Sequence, residues 1–172
     1  VGIVNAIRRA IVSEPMTWAP STVTIRKNTS CQNDEFIAHR IGLIPFKVRG
    51  EGPHMAALKK KGGIVSCKLI ESESVEAVLD IPVVVLATSH ELDLTIHFDK
   101  QKSSFHARHQ PCCGVSMRKS ENGFKIGFET IIPDDDAKAI FVEAVESLIC
   151  IVDDVLHQVG NQPSEVPVSK SG

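Results

Sequence analysis

From Ala137 to Val159, apolar side chains recur at helical spacing in a stripe too wide for one sheet to cover, and this constrains the fold more than any other feature. Ala137, Ile140, Phe141, Ala144, Leu148, Ile151, Val155 and Val159 form its centre, and Val142, Val145, Ile149, Val152 and Leu156 broaden it. A helix so patterned needs two neighbours: the sheet of its own domain on one side, and a second polypeptide on the other. Pro133-Asp134-Asp135-Asp136 precedes it, with acidic side chains that accept from the free amides of a first turn and meet the positive end of the helix dipole. The acidic triplet therefore reads as a helix start rather than a set of magnesium ligands.

The opening segment reads as helix, strand, helix. Ile3, Val4, Ile7, Ala10 and Ile11 share one face of a helix from Val1 to Glu14, which Pro15 stops. Thr22 to Arg26 alternates polar and apolar around β-branched residues, as a strand with one buried face does, and Asn28-Thr29-Ser30 closes it with turn chemistry. Asp34 and Glu35 then open a second helix with Phe36, Ile37, Ile41 and Leu43 on its apolar side, ended by Pro45. Arg8, Arg9 and Arg40 are too costly to bury together without partners, so they are expected at an interface.

Between the helical ends the sequence reads mostly as strand. Lys47 to Gly63, with five basic residues and four glycines, is expected to be a solvated loop with a helical turn at Met55 to Leu58. Ile64 to Ile70, Val75 to Leu86 and Leu92 to Phe98 are expected strands, separated by turns at Ser72-Glu73-Ser74 and Ser89-His90-Glu91. Cys113 to Met117 and Gly123 to Ile132 form a further pair, expected to rejoin the main sheet, with Phe124, Ile126 and Phe128 on one face. Gly160 to Gly172 has the prolines and serines of a flexible tail or linker.

The bulk chemistry excludes several functions. A net charge of -2 and a pI near 6.4 provide no basic field to hold nucleic acid unaided. No apolar run reaches the roughly 18 residues of a membrane span, and the five cysteines lack the framework of a small secreted domain, so reduced thiols are expected. His106, His109, Cys112 and Cys113 are a poor chelate, because adjacent cysteines splay apart on a strand and Pro111 stiffens the approach. No nucleophile elbow or phosphate-cradling glycine loop appears.

The run Asn5-Ala6-Ile7-Arg8-Arg9, Ala19, Val23, Asn28-Thr29-Ser30 and Asp34-Glu35-Phe36-Ile37-Ala38-His39-Arg40-Ile41-Gly42-Leu43-Ile44-Pro45 resembles the larger alpha-like subunit of archaeal and eukaryotic multisubunit DNA-directed RNA polymerases. The resemblance implies an α+β fold: a mixed, mainly antiparallel sheet with two helices packed on one face as the dimerisation surface, interrupted by a strand-rich insert. It divides the chain into a discontinuous dimerisation domain, 1–30 with 104–160, an insert at 31–103 and a tail at 161–172. It implies a non-catalytic assembly subunit that pairs with the smaller alpha-like subunit, separate or fused downstream, as a platform for the largest and second-largest subunits and beside small assembly subunits. Ile3, Asn5, Ile7, Arg8, Arg9, Ile11, Glu35, Arg40, Phe141, Leu148, Val152 and Val155 are the expected interface residues, with Arg8, Arg9, Glu35 and Arg40 set against the second-largest subunit. Many relatives carry a cysteine cluster for zinc or iron and sulfur in the insert; only Cys67 stands there, so no metal or other cofactor is expected.

The family begins with a hairpin before the first helix, whereas this chain opens with Val1 inside it, so a piece of a longer polypeptide is expected. An intracellular location, nucleus or cytoplasm, with neither membrane nor sequence-specific DNA contact, follows from the resemblance. The reduced insert suggests a divergent lineage such as a large DNA virus. Two alternatives stand beside this reading: a nucleic-acid-binding module using the basic 47–61 segment, and a small enzyme with a site lined by His39, His106 and His109.

Overall fold

The structure is a computed structural model that describes residues 2–133 and 135–160. The expectations for Val1, Asp134 and the tail at 161–172 lie outside the described residues.

Two hydrophobic cores organise the chain. The larger is built on a three-stranded antiparallel sheet in which β5 (Pro82–Lys102) lies between β1 (Met16–Asn28) and β3 (His54–Ser66). Leu92, Leu94, Ile96 and Phe98 alternate along β5 and face inward, as period-two burial requires. α2 (Asp34–Gly42) covers them with Ile37 and Ile41, both fully buried. A short ladder of β2 (Phe46–Val48) and β4 (Val75–Ala77) completes this core, and the ring of Phe46 meets that of Phe98 edge to face at 5.2 Å.

The smaller core joins α1 (Gly2–Ser13), the hairpin β6 (Cys112–Ser120) and β7 (Gly123–Thr130), and α3 (Ala137–Gly160). Ala10, Ile11, Cys112, Ile140 and Ala144 are buried in it, with Ile7, Val115, Ile126, Phe128 and Leu148 packed around them. The cores are stitched together where β5 ends: Ser104 N donates to Ser13 O at 3.3 Å and Lys102 Nζ to Glu14 Oε2 at 2.9 Å. The class is α+β with antiparallel sheets, as expected, and every strand pairing among the described residues is antiparallel.

Three local expectations are corrected. The segment before Gly63 is not a loop with a helical turn, because β3 begins at His54. His54, Ala56 and Leu58 point inward while Met55, Ala57 and Lys59 point to solvent. Ser89-His90-Glu91 does not end a strand either. The register jumps from Lys61↔Glu91 to Gly63↔Leu86, so Gly62 alone stands opposite Ala87 to His90 in a wide bulge within β5. Gly62 has φ +63°, and a Cβ there would stand 3.3 Å from the Cα and O of Thr88, so the bulge requires a glycine.

The third correction is that β6 and β7 form a separate sheet instead of rejoining the main one. The free edge of β1 is already occupied by side chains. Arg108 Nη1 donates to Pro20 O at 2.7 Å and to Ser21 O at 3.3 Å, and His109 Nδ1 donates to Thr17 O at 2.8 Å. With these carbonyls satisfied from a 3-10 turn at Ala107–His109, no strand can add there.

Candidate protein interface

α3 starts where expected. Asp136 Oδ1 accepts from Lys138 N at 2.9 Å, which caps the first turn. The helix is about 36 Å long at 1.5 Å per residue, but the other described residues cover only its first half. Ile140 and Ala144 are buried and Leu148 is partly buried, while every residue from Ile149 to Gly160 is exposed. Phe141, Val145, Val152, Leu156 and Val159 lie roughly 80° round the axis from the buried line, at about 100° per residue. They make a second apolar ridge, with Leu156 63% and Val159 68% exposed. Ile151 and Val155 prolong the buried line beyond its cover and are exposed as well.

α1 repeats this gradient. Ile11 is fully buried, Ile7 half-buried and Ile3 77% exposed, at spacings of one helical turn. Met16 N, just past the end of α1, donates to Glu143 Oε1 at 3.0 Å, so α1 ends beside the first turns of α3. Exposure therefore grows along both helices away from this junction. Arg8 Nε donates to Asn5 Oδ1 at 3.0 Å, one turn earlier on α1, and Arg9 is exposed with no side-chain partner among the described residues.

Glu35 and Arg40 lie elsewhere, on α2 over the main sheet. The Asn28-Thr29-Ser30 turn positions that helix. Asn28 Nδ2 donates to Asp34 Oδ1 at 2.7 Å, Asn28 Oδ1 accepts from Ser30 N at 3.0 Å, and Asn33 Oδ1 caps the helix by accepting from Phe36 N at 3.2 Å. Thr29 N donates to Glu91 O at 3.0 Å, which ties the turn to β5. Glu35 is exposed on the first turn, and Arg40 Nη2 donates to Pro82 O at 2.7 Å.

The predicted interface residues thus fall into two groups. Ile3, Asn5, Ile7, Arg8, Arg9, Phe141, Leu148, Val152 and Val155 belong to α1 and α3, with Ile11 beneath them in the smaller core; Glu35 and Arg40 stand apart on α2. Ile149, Ile151, Leu156 and Val159 complete the exposed surface. They were legible in the same periodicity that marked Val152.

In the basic 47–61 segment at least two of the five cations are paired with acids of neighbouring strands. Arg49 pairs with Glu76 at 3.1 Å and Lys59 with Asp93 at 3.7 Å. The histidines do not converge as an enzyme site: His39 and His106 line one cavity, whereas the buried His109 bonds to β1. His106, His109, Cys112 and Cys113 do not gather either. Cys112 Sγ lies under α1, 3.5 Å from Ile11 O, and Cys113 is exposed. Burial, followed by the neighbouring Cys113, pushes the Cys112 thiol up to about 11, so it stays protonated. Among the described residues no helix is long and apolar enough to cross a membrane.

No protein-family model matches the chain. It is 30% identical over 171 residues to DNA-directed RNA polymerase subunit Rpo3 of Methanocaldococcus jannaschii, a match that covers 90% of this chain and 83% of that protein. The Pyrococcus horikoshii protein of the same name is 30% identical over 126 residues, 64% of this chain and 49% of its own length. Subunit 3 of DNA-directed RNA polymerases II, IV and V of Arabidopsis thaliana is 56% identical over 46 residues, 27% of this chain and 14% of that protein.

Proposed function

The chain belongs to the family of alpha-like subunit 3 of archaeal and eukaryotic DNA-directed RNA polymerases, and from that premise we propose that it is an assembly subunit that pairs with a smaller alpha-like subunit. Its family role is non-catalytic. The pair then serves as a platform for the largest and second-largest subunits, joined by small assembly subunits, in the nucleus or cytoplasm. Pairing belongs to 1–30 with 104–160, and 31–103 is the inserted unit. β1 of the first unit is laddered to β5 of the second along its length, so the two units share a sheet.

The observation that carries this reading is the uncovered apolar surface of α3, continued by Ile3 and Ile7 on α1. Removing apolar surface from water contributes about 25 cal/mol per Å², so a partner with a matching ridge gains most of its affinity here. Arg8 and Arg9 fix orientation at the rim, and Glu35 and Arg40 on α2 offer charge-assisted bonds to the second-largest subunit. No base contact is required of this chain, in keeping with its net charge of -2.

Coexpression with the smaller alpha-like subunit of the same organism tests the proposal. The expected result is a soluble one-to-one complex by native mass spectrometry, and a chain that aggregates or self-associates when made alone. A stable monomer that ignores this partner would overturn it.

A further inference from the structure

A cavity of about 220 Å³ opens between β1, the end of α2 and the 3-10 turn at Ala107–His109. Its charge is one-sided. Arg108, His106 and His39 line it together with apolar groups such as Val23 and Leu43, and among the described residues no aspartate or glutamate does. These residues come from three distant parts of the chain and meet only in the fold.

Arg108 and His106 are each held by a backbone bond that leaves donors for a ligand, and His39 is exposed and unengaged at the rim. Arg108 is half-buried, with Nη1 anchored on Pro20 O and Ser21 O; among the described residues its other guanidinium nitrogens have no acceptor. His106 Nδ1 accepts from Arg108 N at 3.1 Å, so the neutral ring carries its proton on Nε2, as a further donor. His39, on the last turn of α2, has no partner among the described residues. A guanidinium with unsatisfied N–H groups in a partly dry pocket favours an oxyanion, which accepts several hydrogen bonds at once. The negative end of the α2 dipole opposes this, but its influence fades within one turn and is only a partial charge.

We propose that this cavity binds a phosphate group, as free phosphate or as the phosphate of a nucleotide, through Arg108, His106 and His39. A tetrahedral oxyanion accepts from donors on more than one wall, and here Arg108 and His106 come from the 3-10 segment and His39 from α2, whereas a carboxylate presents one plane.

The test is a titration of the chain with inorganic phosphate, and separately with a nucleoside monophosphate, at constant ionic strength, followed by the ring-proton NMR signals of its histidines. Saturating shifts of His39 and His106 are expected, with the tighter ligand identifying the source of the phosphate. Arg108→Gln removes charge-assisted bonds and weakens binding by about tenfold or more. Because Arg108 also closes the edge of β1, His39→Ala is measured in parallel; the exposed His39 makes no hydrogen bond or ion pair among the described residues, and its loss weakens binding by a smaller factor without altering the fold. Shifts that stay linear for both ligands, or saturating shifts that His39→Ala leaves unchanged, would overturn the proposal.

Discussion

Replacing Val152 and Leu156 together by lysine separates the needs of the isolated chain from those of the assembled one. Val152 is 51% and Leu156 63% exposed. Fully burying a valine or leucine is worth about 1.5–3 kcal/mol, so each has about 1–2 kcal/mol still to gain from a partner. Losing both gains weakens pairing by about 2–4 kcal/mol, which is about 30-fold to several hundredfold in dissociation constant. Lysine stems keep part of the apolar contact where their heads reach water, and any head that cannot reach it adds the cost of a buried charge. The isolated chain should scarcely notice. Lysine forms helix about as well as leucine, suits the C-terminal end of the dipole, and adds only a like-charge pair at i and i+4 worth a few tenths of a kcal/mol. Its melting temperature is expected to move by about 2 °C or less. Affinity for the smaller subunit is measured by titration of a labelled partner, alongside a thermal melt of the chain alone. Pairing retained within a few-fold would refute the reasoning, as would a large drop in melting temperature, which would mean that this ridge is packed inside the chain.

Three further outcomes check the fold beneath that surface. Gly62→Ala places a Cβ at positive φ against the Thr88 backbone and should destabilise by about 1–2 kcal/mol, read as a lower urea midpoint with unchanged slope. Alkylation at pH 8 should label Cys31, Cys113 and Cys150 while Cys112, with its thiol near 11, stays unmodified by peptide mapping until the protein unfolds. Burial raises the Glu14 carboxyl, but hydrogen bonds from Lys102 and Ser13 and the charge of Lys102 outweigh it and hold the carboxyl below its ordinary 4.5. A depressed folded pKa stabilises above 4.5 and ceases to do so as pH falls through the folded value. Glu14→Gln should therefore be less stable than the parent at pH 7, by under about 1 kcal/mol, with the gap in melting temperature closing in acid.

The helices were legible because each carries its own boundary: Pro15 past α1, Asp34 and Glu35 at the start of α2 and Pro45 past its end, and the acidic run ending in Asp136 at α3. The unpartnered ridge was equally plain, since periodicity reports how wide an apolar face is regardless of what covers it. β3 was not, because its inward positions hold His54 and Ala56 and its centre carries lysines and two glycines, all of which read locally as loop. The glycines in fact serve the bulge opposite Ala87 to His90, a function that belongs to a pairing partner twenty-odd residues away. Likewise, Arg108 and His109 stand only a few residues before Cys113, yet nothing in the sequence announces that they reach back to occupy the edge β6 and β7 would otherwise join. Of the basic cavity, His39 and His106 were legible as a group, but with His109 beside them in place of Arg108, because which of two nearby side chains turns inward depends on the 3-10 turn that carries them.

A ribosome delivers α1 roughly 120 residues before α3 emerges to shelter it. At synthesis rates of about 5–20 residues per second, Ile7, Ala10 and Ile11 stay wet for about 6–25 s. α1 is thus made long before it is finished, and a nascent chain cut short before Ala137 should present a sticky helix to chaperones rather than a half-built subunit.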